Sequence, residues 1–226
     1  MLAISALVVL GGLLGRAVSA PPAAAGTAKK VLLPTMITLP ERPGPHWFWL
    51  SDVMLHRTAL FDGDTGEQLG SISSGTAGLG FIIYPLFSPD RREIYISESY
   101  YSRGVRGDRT DVVTVYDART LEPTAEIPIP PKRAEYFPGN ASNALSDDGR
   151  YMAVFNLTPR TSVSIVDVKE RRFLSEVDTP GCGLVYAAGT TRFLLVCANG
   201  AAMTLTVPPG GAEPTLERSE PFFDPQ

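Results

Sequence analysis

The side chains that could carry out chemistry are few in this sequence of 226 residues. The only two histidines are His46 and His56, and neither lies in the context of a nucleophile elbow, so a Ser-His-Asp triad is not indicated. No His-x-x-x-His or Cys-x-x-Cys spacing is present, which removes the common zinc motifs. The sequence therefore predicts no catalytic, cofactor-binding or metal-binding residue in this chain.

Two glycine-containing segments have a partial likeness to ligand-binding loops. The segment Asp62 to Gly66 is similar to the start of a calcium loop, but it lacks the third acidic ligand and the bidentate glutamate, so a hairpin turn is favoured. The segment Gly75 to Gly80 is rich in glycine, yet an apolar strand follows it instead of the helix that a phosphate-binding loop requires. Both segments are therefore predicted to be turns or loops.

The amino-terminal segment has the pattern of an export signal. Residues 2–14 are almost wholly apolar or small, and small residues follow at 17–20. Such a run is too short for a bilayer core of ~30 Å, which needs ~20 apolar residues. We therefore predict a signal peptide at 1–20, a flexible arm at 21–46 and one domain at 47–226, with no membrane association after cleavage. An uncleaved anchor is the alternative.

Export changes the interpretation of the two cysteines, Cys182 and Cys197, which are 15 residues apart. An oxidising compartment favours a disulfide between them, and closing a loop of this size stabilises a fold by ~3 kcal/mol in the chain-entropy model. The alternative is a pair of buried free thiols.

The amino-acid composition indicates the general class of protein and the partners that it excludes. Hydrophobic residues make up 44% of the chain and the net charge is −4, which is typical of a globular protein and argues against a nucleic-acid partner. The 21 glycines and 20 prolines favour short strands and turns over long helices.

Two kinds of segment recur along the domain. In the first, an apolar strand ends at an aspartate that precedes a polar turn, at Asp62, Asp117 and Asp167, spaced 55 and 50 residues apart. The aspartate is expected to accept hydrogen bonds from backbone amides of the turn. In the second, a turn precedes an apolar strand, at 87–97, 145–155 and, more weakly, 188–197.

A repeat of about fifty residues that holds about four strands is typical of a β-propeller blade. A β-sandwich would show alternation without this two-part repeat. We therefore predict an all-β propeller in which three and a half to four blades lie between Trp47 and Gln226. Because propellers close with about four to eight blades, the domain is expected to be partial.

The central stretch resembles a known family. Residues 101–130 contain Arg106-Gly-Asp-Arg-Thr-Asp111, then Val113-Thr-Val-Tyr-Asp117, then Leu121-Glu-Pro-Thr-Ala-Glu-Ile127. This succession is similar to the heavy chain of the methylamine and aralkylamine dehydrogenases, and the 62–70 hairpin and the cysteine pair also fit. The resemblance runs from about residue 47 to the end and corresponds to a truncated, amino-terminal portion of a family member.

The resemblance implies a detailed function. The family's heavy chain is a seven-bladed periplasmic propeller that assembles with a second heavy chain and two small light chains. The light chain carries tryptophan tryptophylquinone, and the complex oxidises primary amines to aldehydes and ammonia and passes electrons to a small copper protein. By this resemblance the present chain is a scaffold subunit without a cofactor of its own. The alternative is a secreted, non-enzymatic propeller module that binds a partner.

Two groups of residues could contact the substrate or a partner of such a subunit. By the resemblance, Met54 and Leu55 lie where a heavy-chain apolar side chain reaches the substrate channel, with core packing as the alternative. Arg103, Arg106 and Arg109 form a short basic cluster, which is either a solvated loop or a loop that faces a partner.

The two tryptophans, Trp47 and Trp49, lie two residues apart on one predicted strand. Side chains at this spacing share a face of the sheet. We therefore expect them to be packing residues.

Overall fold

A computed structural model describes residues 37–52, 55–73, 84–134 and 140–224. The predicted signal peptide and most of the predicted arm lie outside these residues, as do Met54 and the segment 74–83. No helix in the described part of the chain is both long enough and apolar enough to cross a membrane.

The described residues form four antiparallel sheets, which we number I to IV in chain order. Sheet I has three strands and the other sheets have four, each in a simple meander. Sheet I contains β1 (Trp47–Asp52), β2 (Arg57–Asp62) and β3 (Gln68–Ser73). Sheet II contains β4 (Leu86–Phe87), β5 (Glu93–Tyr101), β6 (Arg109–Asp117) and β7 (Pro123–Ile129).

Sheet III contains β8 (Asn143–Leu145), β9 (Tyr151–Asn156), β10 (Ser162–Asp167) and β11 (Arg172–Asp178). Sheet IV contains β12 (Cys182–Ala187), β13 (Arg192–Cys197), β14 (Ala202–Thr206) and β15 (Thr215–Arg218). Two short 3-10 turns lie at Asn140–Ser142 and Pro209–Gly211.

The sheets pack face to face through three apolar cores, one for each pair of neighbours. Leu60 of sheet I packs against Ile94 and Ile96 of sheet II. Val113 of sheet II packs in one cluster with Val154 of sheet III. The third core joins sheets III and IV, with side chains that include Phe155, Ile165, Phe193, Leu195 and Leu205. This succession of four-stranded meanders is a β-propeller with four blades described, which confirms the predicted fold.

Aspartates close a tight turn at one end of sheets I, II and III. In each, the carboxylate of Asp62, Asp117 or Asp167 accepts hydrogen bonds of 2.8–3.2 Å from the amides two and three residues later. These amides hold the pKa of the Asp62 and Asp117 carboxyls below its usual range. The hydrogen bonds from the turn amides to these aspartates, which the repeat predicts, are confirmed.

A second turn, between the first and second strands, is closed by a serine hydroxyl in sheets II and III. Ser88 and Ser146 each accept hydrogen bonds from the amides four and five residues later, at 2.9–3.2 Å. The third residue after the serine has a positive φ, 58° at Arg91 and 70° at Gly149. A Cβ on Gly149 would lie 2.3 Å from Pro89 Cδ, so glycine is required there.

These turns define two ends of the propeller. We call the end with the aspartate and serine turns the turn face. The opposite end, the loop face, carries the β1–β2 connection of sheet I, of which 55–56 are described. It also carries the connections between the second and third strands of sheets II, III and IV, at 102–108, 157–161 and 198–201. Each connection lies at the end of its sheet away from the turn face, because the strands are paired in antiparallel register.

Candidate functional site

The most prominent feature of the loop face is the β5–β6 hairpin. Its strands have nine residues each, against six in most of the other blades' strands, and its loop spans 102–108. The Ser102 amide donates to the Asp108 carbonyl and the Arg103 amide donates to the Arg106 carbonyl, both at 3.0 Å. Gly107 has a φ of 103°, and a Cβ there would lie 2.3 Å from Ser102 Oγ, so the loop needs glycine at this point.

An ion pair stands at the base of this loop. The Arg109 guanidinium donates to both carboxylate oxygens of Asp111, with distances of 2.7 and 2.8 Å. The Asp111 side chain is fully buried and 20% of the Arg109 side chain is exposed. Two parallel hydrogen bonds of this kind fix both the position and the orientation of an arginine.

Further buried polar groups extend this ion pair toward sheet III. Asp111 also accepts the Ser99 hydroxyl at 2.7 Å and the Arg133 amide at 3.0 Å. The Arg133 guanidinium donates to Ser99 Oγ at 2.7 Å, and Arg109 donates to the Arg133 carbonyl at 3.0 Å. The segment after β7 then continues to β9, where the Ala134 amide donates to the Phe155 carbonyl. The network therefore holds the hairpin and the next blade together.

The predicted basic cluster separates into two parts. Arg103 and Arg106 are exposed at the tip of the loop, with Val105, 74% exposed, between them. Arg109 belongs to the buried network and is not part of the basic surface. Strand alternation in the sequence could have distinguished Arg109 from the other two arginines. Arg109 and Asp111 are two residues apart, so their side chains lie on the same face of the strand.

The two residues with a predicted channel role can be placed only in part. Leu55 lies on the loop face with 58% of its surface exposed, and its amide donates to Asp52 Oδ1 at 3.1 Å. Met54 lies outside the described residues. Leu55 is therefore accessible from the same face as the arginine loop and takes no part in an apolar core.

A second polar cluster lies between sheets I and II. Glu98 is fully buried and accepts hydrogen bonds from the hydroxyls of Thr114, Tyr100 and Tyr116. Burial raises the pKa of the Glu98 carboxyl, and the three hydroxyls act in the opposite direction. Burial and the nearby carboxylate also raise the pKa of Tyr100 to about 12. The cluster is a buried acid without access to solvent, and nothing in the sequence pattern singled it out.

The remaining candidates take structural roles. Trp47 and Trp49 pack at the core between sheets I and II, and Trp47 Nε1 donates to Asp62 Oδ2 at 3.2 Å. His46 contacts Asp64 at 2.7 Å on the turn face, whereas His56 follows Leu55 on the loop face. No group of three potential metal ligands occurs among the described residues.

The structure joins Cys182 and Cys197 in a disulfide, the pair that the sequence predicts. The two residues are directly opposite each other on β12 and β13. The bond lies at the loop-face end of sheet IV, where Arg218 donates to the Pro180 carbonyl at 2.7 Å. It therefore ties the first two strands of that blade together.

Comparison with known proteins gives one family. The family model described as methylamine dehydrogenase heavy chain (MADH) matches residues 52–225. The heavy chain from Paracoccus versutus is 29% identical over 143 residues, which are 62% of this chain and 32% of that protein. The heavy chain from Methylorubrum extorquens is 26% identical over 165 residues, 72% of this chain and 38% of that protein. The chain thus spans about a third of the length of the curated relatives it matches.

Among solved structures, the dihydro-heme d1 dehydrogenase NirN in complex with DHE is similar in fold. Its TM-score is 0.55 at 20% sequence identity, over 80% of this chain and 37% of that one. At this identity the similarity concerns the fold alone.

Proposed function

Because the chain belongs to the methylamine dehydrogenase heavy chain family, we propose that it is a heavy, β-propeller subunit of a periplasmic quinoprotein amine dehydrogenase. In this proposal it acts together with a second heavy chain and two light chains. The family match over residues 52–225 carries the proposal.

The quinone is assigned to the light chain. A tryptophan-derived quinone requires two tryptophan side chains that can be joined, whereas Trp47 and Trp49 are packed at an inter-sheet core and Trp47 is hydrogen-bonded to Asp62. These residues do not fit that role. When bound in the partner, the quinone supplies the oxidation of primary amines to aldehyde and ammonia, and a small copper protein accepts the electrons.

The loop face is the surface that we assign to the light chain. It carries a rigid hairpin whose base is fixed by the Arg109–Asp111 pair and whose tip presents Arg103, Val105 and Arg106 to solvent. Arginine is enriched at protein–protein interfaces, so a braced hairpin that displays two exposed arginines is a suitable contact for a partner chain.

Association with the light chain tests this assignment. Co-expressed with the light chain of the same genome, the wild-type chain should co-purify with it, and the combined substitutions Arg103→Glu and Arg106→Glu should reduce the recovered light chain at least about tenfold. Arg92→Glu is the matched control, because Arg92 is an exposed arginine of the turn face with 74% of its side chain accessible. Co-purification that is insensitive to the loop-face pair would reject the surface.

Activity tests the wider proposal. The purified single chain should show no methylamine-dependent reduction of a dye, since the quinone is assigned to its partner. Amine oxidation by the chain alone would overturn the proposal. A chain that fails to bind the light chain but binds another secreted protein would support the non-enzymatic alternative.

Leu55 is proposed to border the substrate channel. Leu55→Phe should lower kcat/KM for benzylamine relative to methylamine by about 10-fold, the usual effect of bulk in an apolar channel. Leu157→Phe is the control, because Leu157 is also an exposed leucine of the loop face, 36% accessible. Equal ratios in both variants would remove Leu55 from the channel.

A further inference from the structure

A cavity of about 70 Å³ lies at the turn face between sheets I and II. Its walls come from both sheets and from the segment just before β1, and the apolar part of the lining includes Leu39, Trp47, Trp49, Phe87 and Ala118. The rings of Trp49 and Phe87 have centroids 5.9 Å apart. Space for about five water molecules, roughly 150 Å³ of liquid, is enough for a ligand with one aromatic ring.

Comparison with the next pair of sheets shows why space remains at this position. Ala118 follows Asp117 in sheet II as Val168 follows Asp167 in sheet III, and the amides of Ala118 and Val168 each donate a hydrogen bond of 2.9 Å to the preceding turn. Val168 is fully buried in the core between sheets II and III. Alanine is smaller than valine by two methyl groups, so the corresponding space between sheets I and II is left open.

The same comparison singles out Arg91, which also lines the cavity. Arg91 has a φ of 58° and occupies the turn position where sheet III has Gly149, with a φ of 70°. This left-handed conformation is easy for glycine and unfavourable for arginine. Cζ of Arg91 lies 5.2 Å from the centroid of the Phe87 ring, at the aromatic wall. A side chain that is kept at a strained backbone position beside a cavity indicates a role in binding.

The charged groups around the cavity favour an anion. Among the described residues the Arg91 guanidinium has no ion pair and no hydrogen bond. Arg119 also lines the cavity, where its Nε donates to the Leu39 carbonyl at 3.2 Å. The described lining has one acidic residue, Glu41, whose carboxylate lies 3.8 Å from the Arg92 guanidinium. The lining is therefore net positive, and Arg91 is available to a ligand.

We propose that this cavity binds a small aromatic carboxylate. The ring of the ligand lies against Trp47, Trp49 and Phe87, because aromatic rings pack favourably on one another. The carboxylate accepts hydrogen bonds from the Arg91 guanidinium, whose planar fork of donors matches a carboxylate. An apolar cavity with a few convergent polar groups is the usual form of a small-molecule site. This inference does not depend on the proposed function.

Titration with benzoate, followed by intrinsic fluorescence, is the first test. The chain has two tryptophans and both line the cavity, so its tryptophan fluorescence reports on this site directly. Benzoate should change the fluorescence saturably. Benzamide, which has the same ring but no charge, should bind at least about tenfold more weakly. A wild-type chain that does not bind benzoate, or that binds benzoate and benzamide equally, would overturn the proposal.

Two variants that introduce the residues of sheet III locate the site. Arg91→Gly should weaken benzoate about tenfold and leave benzamide unchanged, whereas Ala118→Val fills the cavity and should weaken both ligands. Arg160→Gln is the control, because Arg160 is on the loop face with 75% of its side chain exposed, and it should bind benzoate as the wild type does. Wild-type affinity for benzoate in either site variant would reject this cavity. Since no light chain or amine is used, the outcome leaves the proposed enzymatic role unaffected, and the reverse also holds.

Discussion

The buried ion pair at the base of the β5–β6 hairpin should be far stronger than an exposed ion pair of the same chemistry. Asp111 is fully buried and binds the Arg109 guanidinium through both oxygens, while also accepting from Ser99 and the Arg133 amide. Removal of the carboxylate takes the counter-charge from the partly buried Arg109 guanidinium and a buried acceptor from Ser99 and the Arg133 amide. Because loss of one partner of a buried pair typically costs about 3 kcal/mol or more, Asp111→Ala should lower the urea midpoint by roughly 1.5 M at a slope of about 2 kcal/mol/M.

A double-mutant cycle isolates the pair itself. The coupling energy between Arg109→Ala and Asp111→Ala should be about 2 kcal/mol. The matched control is the pair Arg160–Asp178, with an N–O distance of 3.0 Å and side chains that are 75% and 53% exposed, where the coupling should stay below about 1 kcal/mol. Equal coupling in the two pairs would refute the conclusion that the buried network braces the hairpin.

Hydrogen exchange gives an independent measure of the same network. In Asp111→Ala the amides of Ser102 and Asp108, which are hydrogen-bonded within the loop, should exchange faster than in the wild-type chain. The amides of the turn face should keep their protection, because they are capped locally. Uniform acceleration over all blades would instead indicate global destabilisation without a specific effect on the loop.

Three further changes test the turns, the buried acid and the disulfide. Arg91→Gly should stabilise the chain by up to about 1 kcal/mol, since its φ is 58°, whereas Gly149→Ala at the corresponding position should destabilise it by more than about 1 kcal/mol; thermal unfolding compares the two. Burial raises the folded-state pKa of Glu98 above its ordinary value of 4.5, so the stability that the neutral acid contributes is present below that value and is lost as the pH rises through the folded pKa. Glu98→Gln imitates the neutral acid, so its free energy of unfolding relative to the wild type should increase from about pH 4 to about pH 8. A difference between the two proteins that does not change with pH would contradict this prediction. Replacement of both Cys182 and Cys197 by alanine should cost about 3 kcal/mol relative to the oxidised wild-type chain and much less relative to the reduced one, because the reduced chain also lacks the cross-link.

The features that the sequence predicted correctly are those fixed by neighbouring residues. An aspartate that accepts hydrogen bonds from the amides two and three residues later can be recognised from the local sequence. The hairpin turns and the length of the blade could therefore be predicted from Asp62, Asp117 and Asp167. The disulfide pair also follows from simple reasoning, because a sequence with only two cysteines leaves one possible pairing.

The features that the sequence did not predict depend on packing between blades. Glu98 is fully buried and surrounded by hydroxyls of its own sheet, and no spacing along the chain reveals this burial. Arg133 reaches Ser99 and Asp111 across 34 and 22 residues of sequence. Contacts of this range follow from the arrangement of the sheets, which periodicity alone does not supply.

The two ends of the propeller therefore respond differently to sequence change. On the turn face the residue that caps the turn is also the residue that shapes it, so a substitution at Asp117 alters the turn directly. On the loop face the bracing groups, Arg109 and Asp111, lie below the tip, and the tip residues Arg103 and Arg106 are exposed. The tip can change its charge and shape while the base keeps the hairpin in place. This separation of bracing from display is why we assign partner recognition to the tip of the hairpin on the loop face.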